Sequence, residues 1–322
     1  MVDVSVVVGV HAHPDRLIAS LESLRQQRGN LRWECLIVAN GGFQPDQHCA
    51  NLLQADPRFR LLECLQPGLT AALALGCSEA RGALIARLDV GDQMAPERLE
   101  RQLQAYTQHP DLVLATSDVE ICGPAWEHLR TDSQAAATGV PMRVDTVPPE
   151  QGIAIDIPHH ASVMFSRAAY EAVGGYRTAF YFGQDWDLWY RLSSHGTFVH
   201  LPETLTRVRL FSDGLSSRHW REQRKIAKLS LACHVARSRG QPETEMLQKA
   251  ATIRPSPQHQ SPLPWDGRRA EGAYFIAEAL RRNRDHRCHR YFREALRHGF
   301  WKPQVWIRAS QGLILWVKTM VI

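Results

Sequence analysis

Residues 3–10 read DVSVVVGV, an unbroken run of apolar and β-branched side chains. Such a run belongs to a strand covered on both faces rather than to one with a wet side. Similar runs recur at 33–42 (WECLIVANGG), 59–65 (FRLLECL), 83–90 (ALIARLDV), 112–121 (LVLATSDVEI) and 161–167 (ASVMFSR). Between them the apolar spacing shifts to a helical period. LIASLESLRQQ follows Pro14, which suits a first helical turn, and LTAALALGCSEARG (69–82), PERLERQLQAYTQH (96–109) and AAYEAVGGY continue the series. The alternation predicts an α/β chain with a mostly parallel, right-handed sheet and ligands at the carboxyl ends of its strands. Asn40 and Asp89 both fall at such ends.

The rhythm then changes. Residues 123–152 are irregular and rich in Ala, Thr, Pro and Gly, as loops covering a site often are. From Ser216 the pattern is helical: HWREQRKIAKLSLACHVARSRG, a proline-rich linker at 254–264, and a helical hairpin at 268–298. This predicts an α/β domain over 1–215 and a basic helical appendage over 216–322. Charge separates the two. The appendage has 21 Lys and Arg against 8 Asp and Glu, a balance of +13, whereas 1–215 carries −8.

The chain runs into its first strand without the basic, apolar and cleavage regions of an export signal. No apolar stretch approaches the roughly 20 residues of a spanning helix. Seven scattered cysteines without a CxxC pair suit a cytoplasmic protein with reduced thiols. The final stretch, WIRASQGLILWVKTMVI, sets Leu313, Ile314, Trp316 and Val317 near Arg308 and Lys318. That points to peripheral contact with an anionic membrane at the inner face of the plasma membrane, with a core-closing helix as the alternative. No recognition motif supports nucleic acid as a partner.

Two acidic strings carry the candidate chemistry: RLDVGD at 87–92 and GQDWDLWYRL at 183–192. One carboxylate cluster would hold a divalent metal against a diphosphate, and the other would supply a general base. Sugar transfer from a nucleotide-sugar needs both, because the leaving diphosphate must be neutralised and the incoming hydroxyl must lose its proton. A dinucleotide site would need GxGxxG after the first strand, and VGVHAHPDR has none.

The segments SVVVGVHAHPDRLIASLESLRQQ, LIVANGG, QPGLTAALALG, ARGALIARLDVGD and PERLERQ resemble the nucleotide-binding half of family 2 glycosyltransferases. HHASVMFSRAAYEAVGGYR, QDWDLWYRLSSHG and LPETLTRVR resemble the acceptor half. The resemblance implies a GT-A fold, an α/β/α sandwich, with the nucleotide half at about 1–122 and the acceptor half at about 123–215. It also implies inverting transfer from a nucleotide-sugar, a UDP-sugar, to a glycan or lipid-linked glycan.

Residue by residue, the resemblance implies nucleotide contacts at Val8, Val10, Asn40, Arg87 and Asp89. Mn²⁺ or Mg²⁺ would sit at Asp92 and Asp89, and Asp185 would be the base, with Asp187 as a competing carboxylate. His160, Gln184 and Trp186 would meet the sugars. Two departures stand out. Gly91 replaces the carboxylate that usually binds the metal directly, and Phe211 stands where a histidine is common, leaving Arg209 or Arg218 as diphosphate contacts. They keep open an alternative: a nucleotide-sugar or glycan-binding homologue with impaired catalysis on the same fold.

Overall fold

The computed structural model describes residues 2–133, 158–212, 214, 219–255, 267–299 and 303–320. The expected alternation is present as β1 (Val4–Val10), α1 (Pro14–Arg25), β2 (Trp33–Asn40), β3 (Phe59–Cys64), α3 (Leu69–Ser78) and β4 (Leu84–Arg87). A helix that periodicity did not reveal, α2 (Gln47–Ala55), lies between β2 and β3. It is short and buries only Cys49 and Leu52, so its apolar stripe is faint; Asp46 starts it by accepting from the Cys49 N–H at 2.8 Å. There follow β5 (Gln93–Met94), α4 (Arg98–Gln108), β6 (Leu112–Cys122) and β7 (His128–Asp132). A helical turn at His160–Ser162 leads into β8 (Met164–Ser166), α5 (Arg167–Ala172), α6 (Gln184–Leu192) and β9 (Thr197–Arg209).

These strands form one nine-stranded sheet in the order β3-β2-β1-β4-β8-β6-β9-β5, with β7 paired to β6. β3, β2, β1 and β4 are parallel neighbours, with Val8 opposite Ile37 and Val7 opposite Arg87. β8 runs antiparallel to both β4 and β6. The alternation of β1 sorts the core into two layers. Val4, Val6, Val8 and Val10 meet Leu17, Leu21 and Leu24 of α1 and Leu99 of α4 on one face. Val7 meets Leu73 and Cys77 of α3 and Leu188, Trp189 and Leu192 of α6 on the other. The sandwich is the expected fold. Part of the expected loop at 123–152 is strand β7, and the rest of that loop lies outside the described residues, as does most of the proline-rich linker. All seven cysteines are buried and none forms a disulfide.

The remaining helices are α7 (Trp220–Ser238), α8 (Thr244–Thr252), α9 (Gly267–Arg282), α10 (Cys288–Gly299) and α11 (Pro303–Met320). Among the described residues, no helix is long and apolar enough to cross a membrane. Compactness draws its line elsewhere than at residue 215. One unit comprises Met1–Val119, Ser133–Arg207 and Arg224–Arg254, the other Glu120–Asp132, Val208–Gln223 and Pro255–Ile322. In the second unit, Tyr291 donates to Glu127 at 2.8 Å, and Ala273, Ala295 and Val305 form a small core joining α9, α10 and α11.

The α7–α8 pair belongs to the first unit because it braces α6. Ile226, Cys233 and Ala250 pack on Phe180 and Phe182, just ahead of that helix. Arg177 bridges the pieces electrostatically, holding Glu243 at 2.5 Å and pairing with both oxygens of Asp187. Arg191 completes the set, reaching Asp187 through Nη2 at 2.7 Å and Nε at 3.0 Å. Asp187 is fully buried, so removing its charge would strand two guanidinium groups. Asp187→Asn is therefore expected to lower unfolding free energy by about 3–5 kcal/mol. Glu243→Gln, at the more accessible end of the chain of charges, should lower it by about 1–2 kcal/mol. Urea unfolding of both variants checks the order; equal, small losses would mean that Asp187 does not anchor α6.

Candidate functional site

Parallel strands deliver their carboxyl ends to one edge of the sheet, and three of the expected site segments lie there: the ends of β1, β2 and β4. Val8 and Val10 lie in the core, 0% and 2% exposed, so neither offers an accessible side chain to a ligand. Asn40 is also engaged within the protein. Its amide donates to the carbonyls of Gln66 at 2.6 Å and Cys64 at 3.3 Å, and its oxygen accepts from the Gly68 N–H at 2.9 Å. It shapes the loop between β3 and α3 instead of offering a free edge to a base.

Arg87 departs furthest from expectation. Its side chain has no exposed surface. The guanidinium donates to the Val7 carbonyl, to Asp89 Oδ1 at 2.5 Å and to His160 Nε2 at 3.3 Å. It therefore acts as an internal strut, with no free donors facing a phosphate. Arginine can only donate, so His160 Nε2 is the acceptor and its ring proton sits on Nδ1. Burial, and then the Arg87 charge, push the His160 pKa down to about 3, which keeps the ring neutral. Tyr176 adds a contact to the same nitrogen at 2.9 Å.

A second buried cation lies beside the first. Arg98, at the start of α4, donates to the carbonyls of Ala161 (2.7 Å), Arg87 (3.1 Å) and Val163 (3.2 Å). Burial, reinforced by Arg87, lowers its pKa to about 9, while Asp92 and Asp89 oppose that shift. Arg98 and Tyr176 were absent from the sequence expectations. Both sit inside quoted strings, PERLERQ and VGGYR, but nothing in those strings marks them as buried.

The acidic turn is built around Gly91. Its φ of 99° lies where side chains strain the backbone, and its N–H donates to Ser20 Oγ at 2.9 Å. The Asp92 N–H closes the turn on the Asp89 carbonyl at 3.1 Å. An aspartate at the middle position would be strained, which gives the glycine a physical reason. The two carboxylates differ in access. The Asp89 side chain is 37% exposed, while Asp92, expected as the main metal ligand, is only 4% exposed. Burial works against ionised Asp89, but Arg87, His160, His159 and Arg98 together hold its carboxyl below the usual range.

Asp185 stands in the first turn of α6. The helix begins at Gly183, whose φ of 57° is left-handed, and Ile226 lies 2.9 Å from where a Cβ would stand. Burial pushes the Asp185 pKa up to about 6, Asp89 adds to the rise, and backbone N–H groups of Trp186 and Asp185 itself oppose it along with Arg87. The sheet edge and the helix start thus bring Asp89, Arg87, His160 and Asp185 into one electrostatic neighbourhood.

Other expected residues have different roles. Both Asp187 oxygens are held by arginines. Gln184 is buried and Trp186 half-buried in the first turn of α6. Trp189 is core, 6.0 Å from the rings of His160 and Phe165. Arg209 stacks on Trp126 and Phe211 at 4.6 and 4.8 Å, and Arg218 lies outside the described residues. Among the described residues, no group of three or more His, Cys, Asp and Glu is placed to hold a metal. Asp89 and Asp92 fit a magnesium-like ion only as one or two carboxylates completed by phosphate oxygens and water.

Known proteins share the fold, and others resemble the sequence. Residues 1–349 of S. aureus TarS, solved alone and in complex with UDP, match with a TM-score of 0.56 at 10% identity, covering 98% of this chain and 89% of that one. Among curated proteins, the amylovoran biosynthesis glycosyltransferase AmsE of Erwinia amylovora is 28% identical over 209 residues, 64% of this chain and 74% of that protein. The putative glycosyltransferase EpsE of Bacillus subtilis is 27% identical over 67% of this chain and 76% of its own length. The O-antigen biosynthesis glycosyltransferase WbnJ of Escherichia coli is 24% identical over 59% of this chain and 71% of its own. The sequence profile of glycosyl transferase family 2 matches residues 5–174, from β1 to the end of the α5 segment, so this chain is a glycosyltransferase and belongs to glycosyl transferase family 2.

Proposed function

We propose that the enzyme transfers a sugar, with inversion, from a UDP-sugar to a hydroxyl of a glycan or lipid-linked glycan, with Asp185 as the general base. One contrast carries the reading: two neighbouring carboxylates are driven in opposite directions. Asp185 is raised to about 6, and Asp89 is held down by Arg87. A carboxylate with a raised pKa accepts a proton well near neutral pH, and one held ionised serves as a fixed charge. Asp187 is unsuited to the base role because both of its oxygens already accept from arginines.

In the proposed step the acceptor hydroxyl gives its proton to Asp185 while its oxygen attacks the anomeric carbon. The bond from that carbon to the diphosphate oxygen breaks, and a single displacement inverts the centre. A divalent cation held by Asp89, with Asp92 behind it, would neutralise the leaving diphosphate. This reverses the expected order of the two aspartates, because Asp89 is the accessible one. The choice of UDP leans on the TarS complex, and the glycan acceptor on the amylovoran and O-antigen enzymes.

Asp185→Asn is expected to lower turnover by roughly 10²–10⁴-fold with nucleotide binding nearly intact. In the wild type, transfer should rise with pH through about 6, the pKa of Asp185. The same shift has a stability consequence. The folded pKa exceeds the unfolded value, so stabilisation present at low pH is lost as pH rises through about 6. Asp185→Asn should accordingly melt at a higher temperature at neutral pH. A variant that keeps near-normal turnover and an unchanged acid limb would remove Asp185 from the base role.

Transfer is expected to need Mn²⁺ or Mg²⁺, and Asp89→Asn should weaken metal activation more than Asp92→Asn. Full activity in excess chelator would sink the metal assignment.

A further inference from the structure

The second unit carries an arginine stripe that no described carboxylate balances. α10 buries Cys288, Tyr291, Phe292, Ala295 and Gly299 along one side. On the other side Arg290, Arg293 and Arg297 are exposed, spaced three and four residues apart, so they share one helical face. Several other arginines of the unit are matched: Arg281 and Arg282 with Glu278, Arg287 with Asp285, and Arg269 with Glu294. Arg290, Arg293 and Arg297 pair with no described acidic side chain. Like charges at this spacing weaken a helix, so the stripe is a standing cost unless an anion meets it.

The next helix adds apolar surface. At the start of α11, Val305 is buried at 3%, while Trp306 and Ile307 are 56% and 59% exposed. Large apolar side chains this exposed are scarce, the others among the described residues being Leu61, Leu65 and Phe275. The sequence carries the trend onward. From Ala295 to Ile322 there is no Asp or Glu, and Trp301, Trp306 and Trp316 are three of the chain's nine tryptophans. Guanidinium groups suit phosphates, and tryptophan with aliphatic neighbours suits the boundary between headgroups and acyl chains. A soluble polyanion would use the arginines and leave Trp306 and Ile307 in water.

We propose that α10 and the start of α11 form a peripheral docking surface for an anionic phospholipid bilayer. The surface lies in the second unit and uses none of the residues assigned to chemistry, so this proposal and the assignment of Asp185 stand or fall separately.

The test is co-sedimentation of the full chain with phosphatidylcholine vesicles, with or without phosphatidylglycerol. Wild type should pellet with the anionic vesicles and remain in the supernatant with the neutral ones. Each arginine near an anionic surface is worth about fivefold in partitioning, so R290Q/R293Q/R297Q should lose on the order of 100-fold. All three side chains are exposed, so unchanged circular dichroism and melting should accompany that loss. W306A/I307S should bind anionic vesicles at low salt and release at a lower salt concentration than wild type. Equal partitioning of the triple variant and wild type would overturn the proposal. So would equal binding to both kinds of vesicle, or retention on heparin or DNA without binding to anionic vesicles.

Discussion

Two guanidinium groups without solvent access, those of Arg87 and Arg98, set the geometry of the candidate site. Burying a cation costs several kcal/mol unless its donors find good acceptors. Here the acceptors are the carbonyls of Val7, Arg87, Ala161 and Val163 together with Asp89. Satisfying those donors ties the ends of β1 and β4 to the turn before β8, three pieces of chain distant in sequence. The same charges set protonation states. Burial, and then Arg87, keeps His160 neutral, while Arg87 and Arg98 are among the charges that hold the Asp89 carboxyl below its usual range.

Helix α6 divides its two aspartates by the same logic. Asp187 faces inward, where Arg177 and Arg191 take both of its oxygens and fasten the helix. Asp185, two residues earlier, has no arginine bonded to it; burial outweighs the backbone N–H groups and the more distant Arg87 charge that favour its ionised form. A helix N-terminus favours a negative charge, so without that burial the Asp185 pKa would be lower. Two acids of one helical turn are thus given different environments, one bonded to arginines and the other not. Glu243, from beyond α7, takes part in the anchoring through Arg177, so helices that look like an appendage help to hold α6 in place.

The chain's own pattern of side chains determined a good deal. Unbroken apolar runs forecast strands covered on both faces, and the alternation of Val4, Val6, Val8 and Val10 with Val7 sorted the two cores. Strand-end logic put Asp89 just past β4, where the structure has it, because local sequence sets where a strand stops; the string QDWDLW singled out Asp185 only as an expectation. Gly91 could be read as a position needing unusual backbone freedom, as its φ of 99° bears out.

Tertiary structure decided what those residues do. Arg87 reads equally well as a phosphate ligand or a satisfied strand-end charge, and only its contacts with Val7, Asp89 and His160 choose between the two. Asn40 was drawn into the loop between β3 and α3, Asp92 was buried, and residues 224–254 joined the first unit. The reason is common to all of these. Periodicity reports which face of an element is apolar, a local property fixed by backbone geometry. The partner of a long or polar side chain depends on segments brought close only by folding, as when Arg177 meets Glu243 across 66 residues. No spacing rule within either segment encodes that meeting.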